Sequence, residues 1–372
     1  MQACREFLDE NLNSGRIKPG SSPIVSSFFF TKKADESLRP VMDYREINKW
    51  TVPDHYPLPL IDQLIMTLTS AMIFTKLDIR WGFNNIRIRP EDCHRAAFVT
   101  PFGTFIPQVM FFGLCNSPAT FQRVMNTLFD SILRTGCVII YVDDILIFTP
   151  TMESHVALVK RVLRTLSDNQ LSLKPSKCDF HKDSVEYLGR LVSKGAITIR
   201  PQHTLAIRAW PIPTTKVALQ RIIGLANYFR RFIPTYSKII APLTELTRAV
   251  QFVWTPERQE ALEKLQKILT SQPVLRLPTT TDPFRIYSDA SLVASGSLLE
   301  QLQDGMWYPV VFSSKMFSET ERRYPTHDRE MLAIIHALRE WRGNILSSPH
   351  KVQVFTDHVG LKFFRLPQNL SY

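Results

Sequence analysis

Cysteine is scarce in this sequence, and no two cysteines stand at the C-x-x-C spacing that is typical of metal-binding and redox motifs. The five cysteines are Cys4, Cys93, Cys115, Cys137 and Cys178. Because the cysteines are odd in number and scattered along the sequence, they argue against both a structural zinc site and a disulfide framework. The sequence therefore indicates a reduced, intracellular protein.

Long hydrophobic runs are also missing from the chain. No apolar stretch approaches the roughly 20 residues that a transmembrane helix needs. The first ten residues, MQACREFLDE, contain no signal-peptide core. We therefore expect a protein that is not secreted, that has no membrane partner and that is located in the cytoplasm or the nucleus.

Acidic residues are fewer than basic ones, with 34 Asp and Glu against 45 Lys and Arg, a formal net charge of +11 and a pI near 9.5. This balance favours a polyanionic partner such as nucleic acid. A length of 372 residues suggests two or three domains. The sequence shows no internal repeat and no low-complexity tail.

Two adjacent acids, Asp143 and Asp144, interrupt the apolar run VIIYVDDILIF at residues 138–148. Branched aliphatic residues on both sides of a short polar break predict two strands joined by a tight turn. The motif by itself leaves open whether the carboxylates are solvated turn residues or metal ligands.

A third acid, Asp78, ends another apolar strand in the segment FTKLDI. Three carboxylates brought together at strand ends would repel one another unless divalent cations neutralised them. Oxygen ligands of this kind suit Mg²⁺ or Mn²⁺. Two such ions support the in-line displacement that nucleotidyl transfer requires.

A series of short motifs in fixed order resembles the reverse transcriptases of gypsy-type long-terminal-repeat retrotransposons. In chain order the motifs are RPVMDYREIN, YPLPLIDQLI, KLDIRWGFNNIRI, FGLCNSPATFQRVMN, IIYVDDILIF, PSKCDF, EYLGRLVS and GLANYFRRFI. The resemblance implies an α+β multidomain fold, a right-hand polymerase with fingers, palm and thumb, followed by a truncated ribonuclease H-like α/β domain. The corresponding domains are residues 1–200 for fingers and palm, 201–277 for the thumb and connecting helices, and 278–372 for the ribonuclease H-like domain.

The resemblance also assigns the polymerase residues. It implies that Asp78, Asp143 and Asp144 hold two Mg²⁺ ions, with Mn²⁺ as an alternative, and that Lys177 protonates the leaving pyrophosphate. Lys174 is close enough in the sequence to compete for that role. The residues implied to contact the deoxynucleoside triphosphate or the nascent base pair are Lys32, Lys33, Arg39, Phe83, Phe112, Gly113, Gln122 and Tyr141. Phe83 would crowd the sugar 2′ position and so exclude ribonucleotides.

Two further segments are implied to bind the primer-template. Tyr187, Leu188 and Gly189 resemble the hairpin that grips the primer end. Written as a helix, LQRIIGLANYFRRFI places its apolar residues on one face and the polar set Arg221, Gly224, Asn227, Tyr228 and Arg231 on the other. Residues 201–250 contain seven Lys or Arg and one acid, which suits contact with a phosphate backbone.

Three acids near the C-terminus form a second candidate site. Asp289 ends the strand FRIYSDA, Glu330 lies on a helix predicted from about Thr326 to Trp341, and Asp357 ends KVQVFTD. These segments resemble the ribonuclease H domain of the same elements, which implies a second pair of metal ions. Because the sequence stops at Tyr372, before a further acidic ligand and a closing helix of that domain, we expect ribonuclease H activity to be impaired.

The sequence therefore predicts an RNA- and DNA-directed DNA polymerase with an attached ribonuclease H domain. Its partners would be an RNA or DNA template with primer, RNA-DNA hybrids and deoxynucleoside triphosphates, in the cytoplasm (within a virus-like particle) or the nucleus. The alternative is a decayed, non-catalytic nucleic-acid-binding relic of a retrotransposon. The sequence does not indicate an oligomeric state.

Overall fold

The computed structural model describes residues 1–32, 36, 38–68, 71–271, 273–358 and 361. The chain divides into two compact units. Unit 1 comprises residues 1–67 and 73–182, and unit 2 comprises residues 68–72 and 183–372. None of the described helices has the length and the apolar character needed to cross a membrane.

Unit 1 mixes helices with two sheets. Its helices are α1 (Gln2–Asn13), α2 (Arg45–Trp50), α3 (Ile61–Met66), α4 (Ser117–Leu128), α5 (Asp130–Leu133) and α6 (Met152–Asp168). Its strands are β1 (Ile17–Pro19), β2 (Ser26–Lys32), β3 (Leu38–Met42), β4 (Ile73–Asp78), β5 (Phe98–Thr100), β6 (Gly103–Pro107), β7 (Val138–Tyr141), β8 (Asp144–Thr149) and β9 (Asp179–Lys182).

One sheet of unit 1 has the strand order β7-β8-β4-β9. Its inner strand β8 carries Ile145, Leu146 and Ile147, whose side chains are all fully buried. Helices α4 and α6 contribute the remaining side chains of this core, including Phe121, Val159 and Val162. Helix α6 begins at Met152 because the Thr151 side chain accepts a hydrogen bond from the Ser154 N–H.

The other sheet of unit 1 has the order β1-β6-β5-β2-β3. Its core contains a group of packed aromatic rings: Phe7, Phe28, Phe98, Phe105 and Phe111. Strands β2 and β3 form an antiparallel hairpin in which Thr31 pairs with Arg39 and Lys32 pairs with Leu38. The hairpin therefore presents the Lys32 and Arg39 side chains near its tip.

Unit 2 contains two four-stranded sheets with helices between them in the sequence. The first sheet, of order β10-β11-β12-β13, consists of β10 (Ser184–Tyr187), β11 (Arg190–Ser193), β12 (Ala196–Ile199) and β13 (Leu275–Arg276). The helices are α7 (Pro201–Arg208), α8 (Lys216–Tyr228), α9 (Tyr236–Arg248) and α10 (Pro256–Thr270).

The second sheet of unit 2 has the order β16-β15-β14-β17. Its strands are β14 (Phe284–Ala290), β15 (Ala294–Gln303), β16 (Met306–Met316) and β17 (Gln353–Phe355), and the helices of this region are α11 (Glu319–Arg322), α12 (Thr326–Glu340) and α13 (Arg342–Ser347). The helix predicted from Thr326 is confirmed and ends one residue before Trp341. Helix α12 packs against β14 and β15 through buried Ala333 and Ala337.

The helix predicted over LQRIIGLANYFRRFI ends earlier than expected. Helix α8 stops at Tyr228, and a separate 3-10 turn covers Arg230–Phe232. Pro234 explains why the 3-10 turn ends at Phe232, because the residue before a proline is disfavoured in the α region and Ile233 is extended, with φ −112° and ψ 111°. The predicted apolar face is still buried, since Ile222, Ala226 and Phe232 are at most 7% exposed.

Candidate active sites

The strands β7 and β8 form the hairpin that the sequence predicts. Tyr141 pairs with Asp144, so Val142 and Asp143 make a two-residue turn. Val142 has a φ of 54°, which is unusual for a β-branched residue and needs support from its surroundings. The turn presents Asp143 and Asp144 at one end of the sheet.

Gln122 on helix α4 supplies that support. Its side-chain oxygen accepts a hydrogen bond from the Val142 N–H at 2.7 Å, and its amide nitrogen donates to the Ile140 carbonyl at 3.0 Å. The amide also donates to Asn126 Oδ1 at 2.9 Å. Because Gln122 is only 1% exposed, it lies beneath the turn as a positioning residue.

Asp78 stands directly beside the turn. It ends β4 and pairs with Asp144 in the ladder, and the Ile79 N–H donates to the Asp143 carbonyl at 3.0 Å. A Cβ at Gly82 would lie 3.4 Å from the Asp143 Cβ, so the chain after Asp78 runs close to the turn. The sheet register thus brings the backbone of all three acids to the same edge.

Two lysines balance part of the negative charge of these carboxylates. Lys177 Nζ lies 3.1 Å from Asp78 Oδ2, and Lys76 Nζ lies 3.8 Å from Asp144 Oδ1. Lys174 contacts Asp78 through its backbone, whose N–H donates to the Asp78 carbonyl at 2.9 Å. The side-chain contact therefore belongs to Lys177, whereas Lys76 has no part in the sequence prediction and is identified only through the β4–β8 pairing.

Burial raises the pKa of both Asp143 and Asp144. The negative charge of Asp78 raises the pKa of each further, while Lys76 and Lys177 act in the opposite direction. A divalent cation would favour the ionised carboxylates and remove this repulsion, so the donor set fits a hard metal ion. The carboxylate oxygens of Asp78, Asp143 and Asp144 are not all within 4.8 Å of one another. Two of these carboxylates contact a lysine instead, Asp78 with Lys177 and Asp144 with Lys76.

A cleft of about 690 Å³ opens beside these acids. Arg39 and Phe112 line the cleft together with Asp78, Asp143 and Lys177.

The Phe83 ring is 7% exposed and lies under the cleft, with its centroid 4.7 Å from the Phe112 centroid and 5.8 Å from the Phe121 centroid. Phe112 is 54% exposed. A packing role and a contact with the sugar are both compatible with this position of Phe83.

The other predicted substrate residues are placed as follows. Gly113 has a φ of 105°, and a Cβ there would lie 3.2 Å from the Met42 carbonyl oxygen, so this position requires glycine. Tyr141 is partly buried at the end of β7. Lys32 is exposed and lies 4.0 Å from Glu36, whereas Lys33 lies outside the described residues.

In unit 2, Tyr187, Leu188 and Gly189 form the turn between β10 and β11. Tyr187 is fully buried, while Leu188 and Gly189 have φ values of 44° and 72°. The Tyr228 hydroxyl of helix α8 donates a hydrogen bond to the Leu188 carbonyl. A Cβ at Gly189 would lie 2.7 Å from the Tyr228 hydroxyl oxygen, so the turn and the helix fit together only with glycine.

The polar face of α8 is largely accessible. Arg221, Gly224 and Asn227 are exposed, and Tyr228 and Arg231 are partly buried. A Cβ at Gly224 would meet nothing within 4 Å, so packing inside unit 2 does not require glycine there. The exposed position instead leaves room for a close external contact.

Asp289, Glu330 and Asp357 converge in unit 2. Strands β14 and β17 are parallel neighbours, so Asp289 and Asp357 emerge near the same edge, and α12 carries Glu330. One oxygen from each of the three carboxylates lies within 4.8 Å of the other two. Among the described residues, this is the group of three acidic, histidine or cysteine side chains that is spaced closely enough to hold a metal ion.

Glu330 is the buried member of this group, at 3% exposed. One carboxylate oxygen accepts a hydrogen bond from the Ala290 N–H at 3.2 Å, whereas Oε2 has no partner among the described residues. Burial raises the pKa of Glu330, and the charges of Asp289 and Asp357 raise it further. A buried carboxylate oxygen beside two further acids fits a divalent cation as the missing partner.

Comparison with known families agrees with this architecture. Residues 31–192 match the family described as reverse transcriptase (RNA-dependent DNA polymerase). Residues 254–354 match the RNase H-like domain found in reverse transcriptase. The two matches follow one another in the order that the motifs predict.

Known relatives extend the match over almost the whole chain. The Transposon Tf2-3 and Tf2-4 polyproteins of Schizosaccharomyces pombe are each 36% identical over 363 residues, which cover 97% of this chain and 27% of the relative. The chain thus spans about a quarter of the length of these polyproteins.

Two solved structures share the fold. A foamy viral protease-reverse transcriptase dRH in complex with double-stranded DNA has a TM-score of 0.86 at 22% identity, covering 98% of this chain and 64% of that one. A foamy viral protease-reverse transcriptase in complex with dsDNA has a TM-score of 0.83 at 24% identity, with coverages of 98% and 76%. The predicted α+β polymerase fold with an RNase H-like domain is confirmed: the chain carries a reverse transcriptase domain followed by an RNase H-like domain, and it is similar in sequence to retrotransposon polyproteins.

Proposed function

We propose that the chain extends a nucleic-acid primer with deoxynucleoside triphosphates on an RNA or DNA template. The observation that carries this proposal is the β4–β8 register, which sets Asp78 opposite Asp144 with Asp143 in the adjoining turn. Residues 1–200 would form the fingers and palm, residues 201–277 the thumb, and residues 278–372 the ribonuclease H-like domain. We also propose an intracellular location.

Asp78, Asp143 and Asp144 would hold two divalent cations, which we propose to be Mg²⁺. When bound, such ions activate the attacking hydroxyl and stabilise the leaving pyrophosphate. Lys177, which contacts Asp78 at 3.1 Å, would donate a proton to the leaving oxygen. Gln122 keeps the turn in its geometry, and the Lys76 contact with Asp144 balances part of the negative charge.

Nucleic-acid binding is proposed from charge and from surface chemistry. The formal net charge of +11 favours a polyanion, and the exposed Arg221 and Asn227 of α8 can reach phosphate and sugar. The foamy viral relatives are described in complex with double-stranded DNA and with RNA/DNA hybrid. We extend both partners to this chain. Arg39, Lys32 and Lys33 would bind the incoming triphosphate.

A second activity, hydrolysis of RNA in an RNA-DNA hybrid, is proposed for unit 2. The observation in its favour is the convergence of Asp289, Glu330 and Asp357 with ligand oxygens within 4.8 Å. Glu330 Oε2, which is buried and has no hydrogen-bond partner among the described residues, provides a free ligand atom.

The decisive experiment is primer extension by the purified chain on a poly(A) template with an oligo(dT) primer, dTTP and Mg²⁺. We expect extension by the parent chain, no extension by Asp143→Asn, and unchanged extension by Asp130→Asn. Asp130 is an acid of the same unit that pairs with Arg134 outside the cleft, at 3.0 Å. An inactive parent that still binds primer-template would instead support the non-catalytic relic.

A further inference from the structure

Trp81, three residues after Asp78, has an unusual backbone conformation. Its φ of 61° and ψ of 15° place it in the left-handed region, which a bulky side chain rarely adopts. The side chain is nevertheless 39% exposed, so core packing does not account for the conformation. Such outliers persist where surrounding contacts hold them, and they occur often at ligand-binding sites.

Two arginines hold the indole ring of Trp81. The guanidinium carbon of Arg16 lies 3.7 Å from the ring centroid, and that of Arg80 lies 3.9 Å from it. Two guanidinium groups at these distances would overlap on a single face, so they occupy opposite faces of the ring. The ring quadrupole attracts both cations and orients them.

The two arginines of this Arg16–Trp81–Arg80 stack differ in their surroundings. The Arg16 side chain is 13% exposed and lies 3.8 Å from Glu10. Burial lowers the pKa of Arg16; the charge of Glu10 raises it and the nearby charge of Arg80 lowers it. Arg80 is exposed, and no described side chain accepts a hydrogen bond from its guanidinium.

The stack lines the same cleft as the candidate catalytic acids. Asp78, Asp143, Arg39 and Lys177 border this cleft together with Arg16, Arg80 and Trp81. The backbone of Arg80 is fixed, because its N–H donates to the Ser172 carbonyl at 2.7 Å. An exposed, oriented guanidinium therefore stands beside the acids that would hold the metal ions.

We propose that Arg80, oriented by Trp81 and backed by Arg16, binds the polyphosphate end of the incoming nucleotide. This inference rests on the proposed polymerase function. A guanidinium binds phosphate oxygens in bidentate fashion, and a bound anion would also relieve the repulsion between the two arginines. Trp81 and Arg16 are then positioning residues, and Arg80 is the residue that contacts substrate.

The test compares Arg80→Ala and Trp81→Gly with Arg134→Ala in steady-state primer extension. Glycine adopts a φ of 61° without strain, so Trp81→Gly removes the ring while preserving the backbone. We expect about a tenfold rise in the KM for dTTP with kcat nearly unchanged, as for the loss of one charge-assisted contact. Arg134→Ala should match the parent, and Trp81→Phe, which keeps a ring, should recover part of the loss.

A binding measurement separates this inference from the proposed function. Magnesium tripolyphosphate is titrated into the parent and into each variant, without primer, template or turnover. Weaker binding by Arg80→Ala and Trp81→Gly supports the inference even if no chain extends a primer. Unchanged tripolyphosphate affinity overturns it, and so does a loss confined to primer-template affinity, which would assign Arg80 to the nucleic-acid backbone.

Discussion

Replacing Gln122 with methionine should disturb the turn that carries Asp143 without changing any of the carboxylates proposed to hold metal ions. Methionine has a similar length but cannot accept the Val142 N–H or donate to the Ile140 carbonyl. Each buried polar group left without a partner costs about 1–3 kcal/mol. Because Ile140 is buried and Val142 only partly so, we expect the free energy of unfolding of unit 1 to fall by about 2–4 kcal/mol.

The same substitution should slow primer extension far more than it weakens primer-template binding. The Val142 φ of 54° is held by the Gln122 contact, and its relaxation would displace Asp143 in the turn. A shift of about 1 Å in a reacting group costs on the order of a hundredfold in rate. Single-turnover extension, measured below the unfolding temperature of the variant, gives this loss separately from stability.

Gln108→Met is the matched control for this prediction. Gln108 is a partly buried glutamine of the same unit whose amide donates one hydrogen bond to the Ile106 carbonyl at 3.1 Å. We expect it to lower stability by about 1 kcal/mol or less and to leave the extension rate unchanged. If Gln122→Met extends primers as fast as Gln108→Met does, the turn does not depend on Gln122 and the reasoning is refuted.

Four further predictions concern other residues of the two candidate sites. Phe83→Val should lower the preference for deoxynucleotides over ribonucleotides, and an unchanged ratio of incorporation efficiencies would leave Phe83 with packing alone. Replacing both Arg221 and Arg231 with alanine should flatten the plot of log affinity for duplex against log salt concentration by about two units of slope; an unaltered slope would make α8 a simple surface helix. The parent should cleave labelled RNA in an RNA-DNA hybrid, and Asp289→Asn should abolish this cleavage because it removes one of the three converging carboxylates; cleavage that survives the substitution would exclude the three-acid group as its source. Asp143→Asn should raise the free energy of unfolding at pH 7. The folded-state pKa of Asp143 is raised, so the stability present with the neutral carboxyl at low pH is lost as the pH rises through that pKa, whereas asparagine stays neutral. Urea titrations at pH 7 and pH 3 should show the gain only at pH 7.

The positions of the candidate catalytic acids were predictable because they lie in local sequence patterns. An Asp-Asp break in a run of branched aliphatic residues specifies a hairpin, and the structure forms it at Val142 and Asp143. The strand FRIYSDA and the helix from Thr326 were equally predictable, since the spacing of apolar residues and the composition of each segment indicate the same type of element. The order of the motifs then supplied the family.

The supporting contacts were not predictable, because they join residues that are far apart in the sequence. The Gln122 contact with Val142 spans 20 positions, and the Tyr228 contact with Leu188 spans 40. The Lys76 contact with Asp144 depends on the β4–β8 register, which no local pattern fixes. The end of α8 at Tyr228 has no such local signal, because Pro234 directly restricts only Ile233.

The contact between Gly189 and Tyr228 has a consequence for how this sequence can diverge. A Cβ at position 189 would lie 2.7 Å from the Tyr228 hydroxyl oxygen, and a smaller residue at position 228 would remove this clash. It would not free position 189, because the φ of 72° still disfavours every residue with a side chain. Substitution at 189 therefore requires two changes, a smaller neighbour and a different turn, and neither is advantageous alone. We therefore expect substitutions to be tolerated at position 228 while position 189 remains glycine.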